Sequence, residues 1–262
     1  MENQNYSIPM LEKGFELIEF ISNNAGGVTM KALVDHLPIS KTTIYRLLIS
    51  LTDMGYIYKN EETAEYFLSK KMLKVGLAAI GETNLVEQAL PLMRHLRDHI
   101  KESVMLGVFM NNKAVLLEQV NGSHAFIFLL RPGTCFGIHV SVPGKVFAAY
   151  ATGKEQEGMI DSIDFVRYNE NTITSKEDFK DELKKVKELG YALDLEEEVK
   201  GVNCLGVPIY NQFGSVAAAL WTSGPSGRLT EEEMMRIKDS VIDIGNKISM
   251  TLGYKNSGIQ NI

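Results

Sequence analysis

Between Ser40 and Ile57 the sequence "SKTTIYRLLISLTDMGYI" specifies a helix along one side and at both ends. Ile44, Leu47, Leu48 and Leu51 recur at helical spacing and form one apolar stripe. Ser40 stands where its hydroxyl can accept from the open N–H groups of the first turn, and Gly55 where the chain must leave the helix. The preceding elements are punctuated as clearly. Leu11, Phe15, Ile18 and Ile21 predict an amphipathic helix that "NNAGG" (23–27) stops. Thr29 can cap a short second helix whose Met30, Leu33, Val34 and Leu37 face inward, and Pro38 breaks the chain before Ser40. "YIYKN" and "AEYFLS", separated by "EET", then read as a small β-hairpin. Helix, helix, turn, helix and hairpin within about 70 residues is the order of a winged helix-turn-helix.

From Ser103 the period changes. "SVMLGVFMN", "KAVLLEQVN" and "AFIFLLR" predict strands, with Asn111 and Asn112 as a hairpin turn between the first two. Before them, 69–80 reads as a helix leaving the first domain and 85–102 as a second long helix containing Pro91. After them, 143–153 reads as a short helix, and 175–190 as a clear one, opened by Ser175 with Asp178 and closed by Gly190. "YALD", "VNCLGVPIY" and "SVAAALWTS" add strands, with "NQFG" as the turn between the last two. Thr230 and Glu233 form a capping box for a final helix to about Leu252. The expected class is α+β: a winged helix-turn-helix domain over 1–75, a linker helix over 76–84, and a domain over 85–262 whose mainly antiparallel sheet carries helices at its ends.

A chain of 262 residues is comfortable for two such domains. Its net charge of −6 argues against nucleic-acid binding by bulk attraction. From Ser40 to Val75, six Lys/Arg (41, 46, 59, 70, 71, 74) face four Asp/Glu (53, 61, 62, 65), a balance of +2. DNA binding here must use a few placed cations. Two cysteines exclude a disulfide framework, no apolar run reaches membrane-spanning length, and no signal sequence is visible, so the cytoplasm is the expected compartment and no membrane partner is expected.

The face of the third helix opposite its stripe carries Thr42, Arg46 and Asp53, flanked by Tyr45, Ile49 and Ser50. An isolated helix with such a face is ordinarily just solvated. Two helices before it and a hairpin after it favour DNA contact, with Ser40, Lys41, Thr42, Thr43, Tyr45 and Arg46 at the helix N-terminus, where amides and dipole favour a phosphate. Lys59 and Tyr66 of the hairpin and Lys70 beyond it are further candidates, with Lys71 beside it, whereas Glu61, Glu62 and Glu65 make the hairpin loop repel a phosphate backbone.

Other chemistry finds little support. His95 and His99 stand four apart, but Leu96 occupies the position of the glutamate in a zinc-protease motif, so no metal is expected. Cys135 and His139 lack an orienting third group for nucleophilic catalysis. No nucleotide fingerprint appears, and no cofactor is expected. The acidic runs 196–198 and 231–233 read as solvated. An enzyme using the winged helix as an interaction module, or a protein-only assembly module, stand as alternatives.

"ISKTTIYRLLISLTDMGYI", "KKMLKVG", "HVSVPGKVFAAYATG", "GYALDLEEEVKGVNCLGVPIYNQFG" and "SGPSGRLT" together resemble the IclR family of bacterial transcription regulators, from about Ile8 to Leu252. The resemblance implies a GAF-like effector-binding second domain, binding of double-stranded operator DNA, self-association as a dimer or tetramer, and a non-enzymatic regulator, by default a repressor of a catabolic operon. It also implies a pocket lined by Asp194, Cys204 and Ser223, with Val142 and Pro143 at the site where backbone N–H groups cradle a carboxylate or sugar-acid effector. Pro143 departs from that pattern because it has no N–H. Trp221 departs too, standing where a small hydroxyl residue is common and favouring a ligand with a flat face. Phe128 and Phe136 are expected to add apolar wall.

Overall fold

A computed structural model describes residues 8–24, 26–80 and 85–255. The chain divides into two compact units, 1–82 and 83–262.

The first unit holds α1 (Pro9–Ser22), β1 (Val28–Thr29), α2 (Met30–His36), α3 (Lys41–Asp53), β2 (Ile57–Lys59), β3 (Glu65–Leu68) and α4 (Lys71–Ile80). The hairpin forms as β2 against β3, and β1 adds a third strand on β3 that the sequence did not announce. Leu17, Ile21, Leu33, Ile44, Leu48 and Ile57 meet in one core. Both predicted caps form: the Thr43 N–H donates to Ser40 Oγ at 3.3 Å and the Ala32 N–H to Thr29 Oγ1 at 3.2 Å. Gly55 takes φ +75°, the left-handed conformation that ends α3.

The α1 stripe is only half right. Gly14, Leu17 and Ile21 are the buried residues, while Leu11 and Phe15 are each 56% exposed. Two overlapping sets of residues satisfy the same period, and packing in the unit's core selects the one that contains Gly14, Leu17 and Ile21. The expected linker helix over 76–84 is reached by α4 only as far as Ile80, and 81–84 lie outside the described residues.

The second unit holds α5 (Leu85–Ile100), β4 (Ser103–Met110), β5 (Lys113–Val120), β6 (Cys135–Phe136), α6 (Val142–Tyr150), α7 (Gly153–Asp161), α8 (Lys176–Leu189), β7 (Ala192–Leu195), β8 (Val202–Tyr210), β9 (Val216–Pro225) and α9 (Glu231–Thr251). The sheet runs β6-β5-β4-β9-β8-β7, antiparallel throughout. Asn111 and Asn112 both take positive φ at the β4–β5 turn, as a two-residue hairpin requires.

The helices cover both faces of the sheet instead of its ends. Ala89, Met93 and Leu96 of α5 join Met234, Val241 and Ile244 of α9 over Leu106, Val207 and Leu220. Val146 of α6 and Phe179 and Leu183 of α8 pack on Met105, Ala219 and Trp221 from the other side. The central residues of β8 are buried on both faces, which its near-continuous apolar run required.

Residues 125–131 do not form the expected strand. The side chain of Gln119 takes their backbone groups: Gln119 Nε2 donates to the Phe128 carbonyl at 2.9 Å and the Leu130 N–H donates to Gln119 Oε1 at 2.9 Å. Two of the segment's backbone groups are thereby satisfied without a neighbouring strand. At α9, Thr230 Oγ1 caps the Glu233 N–H, but the Glu233 carboxylate pairs with Arg236, so the reciprocal half of the predicted box is replaced by an i,i+3 ion pair.

Candidate nucleic-acid interface and ligand cavity

In the first unit the apolar stripe of α3 is buried, and Lys41, Thr42, Tyr45, Arg46, Ile49, Ser50 and Asp53 are exposed. Ser40 closes the N-terminus of this face. Thr43 serves the fold more than the surface, because it is half-buried and its hydroxyl lies 2.8 Å from Ser40 Oγ. Lys59 is shared with the hairpin tip through a 3.5 Å ion pair to Glu61. Tyr66 is half-buried against the unit's core. Tyr58, which the sequence pattern did not mark as a surface residue, is 51% exposed and stacks on Phe67. Lys70 is exposed. Lys71 is committed elsewhere: its ammonium donates to the Met54 carbonyl at 2.7 Å and sits 4.4 Å over the Tyr56 ring, tying α4 to the end of α3.

In the second unit, the N-terminus of α6 comes down onto the sheet because Gly206 leaves room. A Cβ on Gly206 would lie 2.5 Å from Val142 Cγ1 and 2.6 Å from Trp221 Cβ. The gap between α6, the ends of β7, β8 and β9 and the segment 128–136 is a cavity of about 210 Å³. Phe128, Phe136, Val142, Pro143, Asp194, Cys204, Trp221 and Ser223 all line it. Phe136 meets Trp221 edge-on, with ring centroids 5.7 Å apart at 83°. Cys204 Sγ and Ser223 Oγ are 3.1 Å apart.

The first turn of α6 is largely spent on its own cap. Pro143 has no N–H, the Gly144 N–H donates to Ser141 Oγ at 3.1 Å, and the Lys145 N–H donates to the Ser141 carbonyl at 2.9 Å. The two-amide cradle expected at Val142 and Pro143 is therefore not available.

The acidic run 196–198, expected to be solvated, is part of the site. Glu198 lines the cavity and Glu197 is buried behind it. Lys145, wholly buried, donates to Glu197 Oε1 at 2.5 Å, Leu193 O at 2.8 Å and Glu182 Oε1 at 3.2 Å. Burial works against its charge, but Glu197, Glu182 and Asp194 outweigh that and raise its pKa. Asp194 accepts the Glu197 N–H at 2.8 Å, and burial together with the Glu197 charge pushes its carboxyl up to about 7. Burial likewise raises Glu198. The sequence carried no signal separating these acids from the solvated run at 231–233; contact with Lys145, 52 residues distant, separates them.

A larger cavity, about 340 Å³, lies at the opposite strand ends beside Phe109, Tyr150 and Tyr210. Its polar groups are exposed or half-buried, so it lacks the enclosed donors and acceptors that orient a ligand. His95 and His99 are both exposed, and among the described residues no three His, Cys, Asp or Glu converge as a metal site. No described helix is long and apolar enough to cross a membrane.

Residues 77–250 match the family described as the bacterial transcriptional regulator IclR C-terminal domain, and residues 10–61 match the IclR helix-turn-helix domain. The transcriptional regulator KdgR of Escherichia coli K12 is 28% identical over 255 residues, covering 97% of this chain and 96% of that protein. The transcriptional repressor AllR of the same organism is 28% identical over 245 residues, covering 94% and 90%. The crystal structure of the Thermotoga maritima IclR superposes with a TM-score of 0.72 at 26% identity, over 95% of this chain and all of that one. The C-terminal domain of Escherichia coli KdgR superposes at 0.60 with 29% identity, over 66% of this chain and all of that one.

Proposed function

The chain belongs to the IclR family of bacterial transcriptional regulators, which bind DNA, respond to ligands and are not enzymes, and from that premise we propose that α3 reads operator DNA while the cavity beside α6 holds the effector. The observation that carries the proposal is that α3 keeps Thr42, Tyr45, Arg46 and Ser50 out of its unit's core, beginning at a capped helix N-terminus. Ser40, Lys41 and Lys70 position the duplex, and Lys59 and Tyr66 of the hairpin reach its backbone. In this reading 1–75 bind DNA, 76–84 connect, and 85–262 sense a small metabolite in the cytoplasm.

The relatives named as a regulator and a repressor support repression as the mode of action, and a catabolic operon is the proposed target. Self-association would pair two recognition helices on a palindrome with half-sites about 34 Å apart per DNA turn. Effector and operator are then linked reciprocally: whatever factor the effector takes from operator affinity, the operator takes from effector affinity. Selection of bound fragments from a random DNA pool, followed by gel-shift titration at several salt concentrations, tests this. The expected result is a palindromic site whose affinity falls steeply with salt. Salt-independent or undetectable binding to every pool member would leave a protein-interaction module instead.

A further inference from the structure

We propose that the cavity beside α6 takes an organic cation, an ammonium or amidinium group on a flat or apolar body, and discriminates against carboxylates. The proposal rests on that cavity being the effector site and names the chemistry it selects.

Four observations carry it. The ionisable side chains lining the cavity are Asp194, Glu198 and the thiols of Cys135 and Cys204, with no Lys, Arg or His among the lining residues. The nearby cation, Lys145, has already given its three donors to Glu197, Glu182 and the Leu193 carbonyl. Within and directly behind the cavity Lys145 stands against four carboxyl groups, Glu182, Glu197, Asp194 and Glu198, while Lys113 and His139 line an adjoining pocket that shares Glu198 and Cys135. The first turn of α6, which would otherwise attract an anion, contains Pro143 and donates to its own Ser141 cap. Finally, Trp221, Phe136 and Phe128 supply aromatic wall, which suits both a cation and an apolar body. The space, about 210 Å³, matches a small metabolite.

The charge assignment fixes the sign of a pH response. Asp194 is faced by Glu197 and Glu198 from the loop after β7, by Lys145 from α6, by Cys204 from β8 and, through Lys145, by Glu182 of α8. An ammonium ligand draws the Asp194 carboxyl into its ionised form, so its affinity rises as pH passes upward through about 7. A carboxylate ligand would need that carboxyl protonated and would bind better as pH falls.

The test uses three probes sharing one body: 2-phenylethylamine, 2-phenylethanol and phenylacetate. Each is titrated by calorimetry into the full chain, and each is scored for slowing alkylation of the exposed Cys135 thiol at the cavity wall; Cys204 is buried and its thiol pKa lies well above normal, burial being the main cause. The amine is expected to bind at least roughly tenfold more tightly than either partner, with affinity rising between about pH 6 and pH 8, and to protect Cys135. Asp194→Asn is expected to weaken it by about tenfold or more; if that variant does not fold by circular dichroism, Glu198→Gln carries the same comparison. Phenylacetate or the alcohol binding as tightly as the amine, with Cys135 protected, keeps the cavity and overturns the charge assignment, as does an amine that fails to bind at millimolar concentration. Amine binding that neither protects Cys135 nor responds to either variant overturns the site itself.

Discussion

Lys145 Nζ lies 2.5 Å from Glu197 Oε1, with the lysine side chain wholly shielded from water and the glutamate nearly so. This contact ties α6 to the loop after β7 directly behind the cavity, joining positions 52 residues apart. A charge pair this deep is held because each partner prevents the other from being buried alone.

Lys145→Met should therefore destabilise the second unit by about 3–5 kcal/mol, since it leaves Glu197 and Glu182 facing an apolar side chain. Adding Glu197→Gln should recover a large part of that loss. Urea denaturation of the two variants measures both effects, and a single variant as stable as the parent contradicts the pairing.

Asp194 sets a second expectation, in pH. Its folded pKa of about 7 lies above the ordinary carboxylate value of 3.8, so between those values the folded chain holds a proton that the unfolded chain has released. The raised group favours the folded state least at high pH: its contribution is unpenalised below about 4 and is lost as pH rises to about 7. Asp194→Asn removes this dependence. Relative to the parent, the variant should gain stability across that window, by at most roughly 4 kcal/mol. Paired denaturation curves at several pH values check the slope; a constant difference would contradict it.

On the DNA side, Arg46→Ala should cost about 1–3 kcal/mol of operator affinity and reduce the salt slope by about 1 if Arg46 holds a phosphate. Arg46 is exposed and no ion pair binds it among the described residues, so the melting temperature should stay nearly unchanged. Unchanged affinity in a gel shift at fixed salt would remove Arg46 from the interface.

Ser40→Ala removes the α3 cap and should cost about 1 kcal/mol of first-unit stability. Ser40→Asp restores a capping acceptor and should recover that stability while weakening DNA binding, because it puts a negative charge where a phosphate would lie. Recovery of both properties together would mean that the helix N-terminus does not face DNA.

Trp221→Ala is expected to act on the fold before it acts on ligand. The ring is 2% exposed and packs where a Cβ on Gly107 would come within 3.0 Å of it, so truncation should cost about 3–5 kcal/mol. Chemical denaturation measures this, and a loss below 1 kcal/mol would show that the ring is held less tightly than its contacts imply.

Much of the architecture was legible because its signals are local. Caps at Thr29, Ser40, Ser175 and Thr230 are side chains acting on amides three residues away, and the Asn111–Asn112 turn is set by two residues tolerant of positive φ. Periodicity places a helix but not its phase: α1 could bury Leu11 and Phe15 or Gly14 and Leu17, and only packing in the unit's core chose. A run of apolar residues at 125–131 promises a strand, yet whether a neighbour offers a ladder or the Gln119 amide offers its own donor and acceptor lies outside the run.

The sequence by itself determined most of the helix caps and the hairpin turn at Asn111–Asn112, that α3 presents a polar face, and, through resemblance to its family, which eight side chains to seek at one site. Tertiary structure alone decided the electrostatic character of that site. Asp194, Glu197 and Glu198 belong to a short acidic stretch that in isolation would simply be solvated; what gives them their chemistry is loss of water and the distances to Lys145 and to one another. Charge in a protein depends on burial and on partners brought together by the fold, and neither is encoded in the neighbours along the chain.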